Sequence, residues 1–156
     1  MSQEIAKFKE FSKTPISERL VYIDPLLSSN HFPSINPFYF VENDERSNHL
    51  MAQEIIKILN ILLKDATTTS HMNAILYPCI NVLLRRNNSS LADLKRFMND
   101  EQNQDLIKEG LKLDNHILRD FFSNKFQNKT LNVSKHAIEM RLQTLLNDPL
   151  FQRLLL

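Results

Sequence analysis

A single glycine, Gly110, serves the whole chain of 156 residues, and that scarcity constrains the fold more than any motif does. Glycine supplies the positive φ of tight hairpins and lets backbone approach backbone or phosphate closely. A chain nearly without it is expected to consist of helices joined by Asn, Ser and Asp turns. Periodicity agrees over most of the length. From Ser47 onward, Leu50, Ile55, Ile58, Leu59 and Leu62 recur at helical spacing, and Ile56, Ile61 and Leu63 widen the stripe. A helix so broadly apolar is expected to be central.

A second long helix is predicted from about Ser70 to Arg86, kinked at Pro78 and ended by Asn87-Asn88-Ser89. Ser90-Leu91-Ala92-Asp93 reads as a capping box with Asp in place of Glu. It opens a short helix that buries Leu91, Leu94, Phe97 and Met98. Another helix runs from about Gln102 to Glu109, with Gly110 placed as the left-handed residue that closes it. Leu113, Ile117, Leu118, Phe121, Phe122 and Phe126 mark the next. Ser134 is the expected cap of the last long helix, which buries Ile138, Leu142, Leu145 and Leu146. Asn147-Asp148-Pro149 stops that helix, and Asp148 with Pro149 can start a final turn.

The first 45 residues read differently. Ser2 can cap a short helix through Phe11 that Thr14-Pro15 breaks. Arg19-Leu20-Val21-Tyr22-Ile23-Asp24-Pro25 follows, and its apolar run Leu20–Ile23 resembles a buried strand. Pro25, Pro33 and Pro37 disfavour helix between 25 and 37. A lone strand cannot satisfy its own backbone groups, and no obvious strand follows. The expected fold is therefore mainly α: a compact multi-helix domain over 46–156, preceded by an extended arm with one short strand over 1–45. That arm reads as derived from an α/β core.

Composition narrows function by elimination. With 19 basic and 18 acidic side chains the net charge is +1, which lacks the basic excess of a dedicated nucleic-acid binder. No run of about 20 apolar residues is present for a membrane span, and residues 1–13 lack a secretory apolar core. The single Cys79 fits a reducing compartment. A cytoplasmic location and no membrane contact are expected.

Few residues point to chemistry. His31, His49, His71, His116 and His136 show no metal-ligand spacing and read as surface or cap histidines. Cys79 sits among apolar neighbours and reads as a buried structural thiol rather than a nucleophile. Glu42, Asp44 and Glu45 suit the positive end of a helix better than a cation site. Phe121, Phe122 and Phe126 are expected in the core rather than in a docking patch. Arg85, Arg86, Lys95 and Arg96 are the candidate contacts for a partner or for DNA. No Gly-x-x-x-x-Gly-Lys-Ser/Thr loop occurs, so the chain has no phosphate cradle of that type. No cofactor, no metal and no enzymatic activity are expected of it.

The order of these pieces resembles the HerA-like hexameric ATPases, especially the conjugative DNA-transfer ATPases and coupling proteins of type IV secretion. Val21-Tyr22-Ile23-Asp24-Pro25 and Asn36-Pro37-Phe38 match a core strand followed by an Asn-Pro pair. Ser90 to Asp100, Phe121-Phe122 and Arg141 to Leu150 match the family's helical insertion. The resemblance covers about residues 19–156 in short motifs, without the Walker A and Walker B motifs. It implies a non-catalytic all-α domain that recognises a protein adaptor or a transfer substrate, on a hexameric parent at the cytoplasmic face of the inner membrane. Two alternatives stand beside it. One is weak DNA binding through the four basic residues. The other is a free-standing helical interaction or oligomerisation module, in which Leu20–Ile23 pairs across a dimer.

Overall fold

The helix that opens at Glu45 starts where Asp44 turns its carboxylate onto the backbone N–H of Ser47 at 3.0 Å. Hydrogen bonds from the Ser47 side chain and backbone hold that carboxyl below its ordinary range. An acidic cap at the positive end of a helix is the arrangement expected of this residue. The computed structural model describes residues 36–39, 44–62, 70–86 and 88–155, all within the unit Ser34–Leu156. The anticipated helix Ser2–Phe11, the strand Leu20–Ile23, and Glu42 lie outside the described residues.

Among the described residues seven α-helices follow one another: α1 (Glu45–Leu62), α2 (Ser70–Arg85), α3 (Leu91–Phe97), α4 (Gln104–Gly110), α5 (His116–Asp120), α6 (Asn132–Asn147) and α7 (Pro149–Leu155). A π turn (Phe121–Lys125) extends α5, and a 3-10 turn (Lys129–Leu131) leads into α6. Among the described residues the fold is entirely helical, in line with the expected class.

The central helix is α2, not α1. Ten residues of α2 are buried, including Pro78, Cys79, Ile80 and Leu83, and it packs on α1, α3, α4 and α6. α1 buries only Ala52, Ile55 and Leu59, against α2. Leu50, Ile58 and Ile61 are 54%, 52% and 67% exposed. α1's breadth of apolar side chains therefore overstates its burial: three residues of that stripe are more than half exposed.

Local chemistry explains the other boundaries. The capping box is complete: Ser90 accepts from the Asp93 N–H, and Asp93 accepts from the Ser90 N–H. α4 begins at Gln104 rather than Gln102. Gly110 is its last residue and does not have positive φ. Its value is space, not handedness, because a Cβ there would run into the Phe122 ring. The left-handed residue is Asn88, with φ 62°, just beyond α2. Ser134 sits inside α6, not at its cap. The preceding 3-10 turn makes the entry, with the Asn128 side chain accepting from the Thr130 N–H at 3.0 Å.

Leu113 precedes α5 and Asn115 caps it. At the far end, the Phe126 N–H reaches back five residues to the Phe121 carbonyl at 2.8 Å, the signature of a π turn. That extra residue helps gather Phe121, Phe122, Phe126 and Phe97 into one cluster with ring centroids 5.4–5.7 Å apart. Phe97, Phe122 and Phe126 are core, as expected of the last two, and Phe121 is half-buried against them. α6 buries Ile138, Leu142, Leu145 and Leu146, and the Asp148 carboxylate accepts from the Leu150 N–H to start α7.

A single ammonium pins this core. Lys135 is 2% exposed. Its Nζ donates to both Asp100 carboxylate oxygens at 2.6 Å and to the Phe126 carbonyl at 3.1 Å. Three donors meet three acceptors, which is what makes a buried ammonium tolerable. Asn36–Tyr39, four residues of the expected arm, form a turn docked on the helices. The Asn36 side chain donates to the Ser89 carbonyl at 2.7 Å and accepts from the Phe38 N–H at 3.0 Å. The Phe38 ring enters the core.

Candidate functional site

Where the first turns of α1 approach the second half of α2 and the start of α5, the helices leave an open cleft of about 540 Å³. Its walls carry side chains that sequence spacing does not connect. His49 and Tyr77, 28 positions apart, share a hydrogen bond of 2.5 Å between Nδ1 and the phenol oxygen. Their rings meet edge to face with centroids 5.6 Å apart. Gln53 lies 3.1 Å from the other imidazole nitrogen, so both ring nitrogens are engaged. Asn81, buried on the next turn of α2, donates to the Tyr77 carbonyl at 2.8 Å.

Two cross-links close the rim. Arg85 pairs with Asp114 at 2.8 Å. The α5 cap Asn115 donates to the Glu45 carboxylate at 3.2 Å, tying α5 to the first residue of α1. The cleft thus presents amide, phenol, imidazole and guanidinium groups from three elements around one opening. Sites that orient a polar ligand use groups of this kind, and Tyr and Arg are enriched among the residues that dominate protein contacts. His49, exposed as a surface histidine is expected to be, also takes a place in this wall. No sequence signal separates it from the exposed His71, His116 and His136.

Three of the four basic candidates already hold carboxylates. Arg85 belongs to the cleft rim. Arg86 and Arg96 converge on Asp105, Arg86 at 3.3 Å. Arg96 grips the same carboxylate with both nitrogens, at 2.8 and 3.0 Å. It also reaches Asp93 at 3.4 Å and the Gln102 carbonyl at 3.0 Å. This fork ties α3 to α4. The hydrogen bond from Arg96 holds the Asp105 carboxyl below its ordinary range, and the same bond raises Arg96. Lys95 takes part in no ion pair among the described residues. The three arginines therefore carry carboxylates already, which lowers the positive potential they offer to phosphate.

Cys79 is fully buried, and burial pushes its thiol up despite the nearby Lys135 charge. A thiol kept protonated in this way is inert. Among the described residues, no three His, Cys, Asp or Glu side chains gather where they could hold a metal ion, and no helix is long and apolar enough to cross a membrane. Comparison with protein-family models, with curated proteins and with solved structures returns no match.

Proposed function

We propose that this chain works by contact: it is a non-catalytic helical recognition domain whose α1–α2–α5 cleft receives a polar segment of a protein partner. The observation that carries this reading is the cleft wall. His49, Tyr77, Asn81 and Arg85 are oriented by one another and by Asp114, so little ordering is left to be done on binding. The motif order in Val21–Pro25, Asn36–Phe38 and Ser90–Asp100 suggests the wider setting. It would be a hexameric HerA-like ATPase of a type IV secretion or conjugative DNA-transfer machine, with the partner an adaptor or transfer substrate at the cytoplasmic face.

Peptide display against the whole chain tests the contact itself. Selected peptides are expected to lose at least about tenfold in affinity for Tyr77→Ala and Arg85→Glu, as happens when a dominant contact is truncated. Peptides that bind both variants as tightly as wild type would remove the cleft from the reading. The setting is tested separately by the encoding gene: a Walker A motif upstream and a Walker B motif downstream are expected, and an unrelated context refutes it.

A further inference from the structure

The outer face of α1 carries a pattern that the cleft does not use. Leu50, Glu54, Lys57 and Ile61 are spaced four, three and four apart, the d-a-d-a rhythm of a heptad seam. They lie opposite the buried residues Ala52, Ile55 and Leu59. Leu50 and Ile61 are more than half exposed, as are the side chains of Glu54 and Lys57, which meet only each other at 2.6 Å.

The order of the four residues selects a partner. In an antiparallel pair of identical helices, a positions face d positions of the other copy. A two-fold axis between residues 55 and 56 then sets Leu50 against the second copy's Ile61, and Glu54 against its Lys57. Both layers are complementary, one apolar and one charged. A parallel pair in register would stack Glu54 on Glu54 and Lys57 on Lys57, which costs stability. Self-complementarity about one axis is what an isologous contact requires.

We infer that a second copy of this chain docks on this face, through an antiparallel α1–α1 seam. α1 is about 27 Å long at 1.5 Å per residue, so one such seam buries less than about 1,200 Å², the range of weak and reversible association. The contact is therefore concentration-dependent, and it is independent of the cleft.

Sedimentation equilibrium of the full chain across a concentration series is the test, with thermal melts to show that each variant folds. Wild type is expected to dimerise at high concentration. Glu54→Lys alone sets Lys against Lys57, and Lys57→Glu alone sets Glu against Glu54. Each is expected to weaken the dimer by at least about tenfold, and the double reversal to restore it. A chain that stays monomeric throughout, or a dimer that ignores both single reversals, overturns the inference. Direction is read by oxidation: Leu50→Cys mixed with Ile61→Cys should cross-link between copies, and neither variant should cross-link with itself. Cys79 does not compete, being fully buried. Self-linking of either variant at the rate of the mixture also overturns the seam.

Discussion

α1 and α2 are long helices of comparable size, 18 and 16 residues, and both are rich in Leu and Ile, yet they meet their surroundings in opposite ways. α2 is enclosed by α1, α3, α4 and α6 and buries residues around its circumference. α1 leans on α2 with one face and turns Leu50, Ile58 and Ile61 outward. Apolar content alone does not tell how much of a helix its neighbours cover. The enclosed helix holds the architecture, and the open one is free to carry contacts.

Substitutions on the two helices give the widest contrast. Leu83, fully buried on α2, is expected to cost about 2–5 kcal/mol as Leu83→Ala, a transfer loss plus a cavity. Ile61→Ala on α1 should stay within about 0.5 kcal/mol in dilute solution, where the residue is exposed. Urea titrations of both check this, and a large loss at Ile61 would erase the distinction between the helices. Lys135→Ala tests whether the scaffold around α2 also depends on a buried charge. Removing the ammonium strips the Phe126 carbonyl and Asp100 of their shared donor, for a loss of about 3 kcal/mol in the same titration.

Gly110→Ala probes close packing on the same scaffold with a smaller expected effect. Alanine gains about 1 kcal/mol of helix propensity over glycine. The clash of its methyl with Phe122 is expected to cost about 1–3 kcal/mol. A net loss of melting temperature is expected, relieved when Phe122→Leu is added. A stabilised Gly110→Ala would show that the ring yields freely.

The smallest effect belongs to the exposed Arg96–Asp105 fork. Asp105→Asn should cost about 0.5 kcal/mol or less near neutral pH, since water screens the pair. Because the folded carboxyl is held low, that contribution is complete above its unfolded pKa of about 4 and fades as pH falls through the folded value. Wild type and Asp105→Asn should therefore draw together in stability as pH falls from about 4 through the lower folded pKa, and coincide below it. A gap that persists there would assign the effect to packing.

What was legible in the sequence was chemistry confined to a turn or two. The Ser90–Asp93 box, the Asp44 cap, the Asp148-Pro149 restart and the stripe Ile138-Leu142-Leu145 act within a few residues, so their spacing carries the answer. Gly110 was legible as special, but for another reason: its constraint comes from Phe122, on a different element, and not from its own φ. The ranking of α1 over α2 failed for the same kind of cause, because periodicity marks an apolar face without saying how many neighbours cover it. Among the basic residues, Arg86 and Arg96 meet through Asp105, and nothing local to either announces that carboxylate. The His49–Tyr77 pair and the cleft around it exist only once α1 is laid on α2.

The Asn36–Ser89 link has a mechanical meaning. The turn at Asn36–Tyr39 is fastened to the helical body by a buried ring, Phe38, and by the Asn36 amide gripping the corner between α2 and α3. Tension applied at Asn36 would therefore be delivered to the end of α2 instead of being spent in fraying α1.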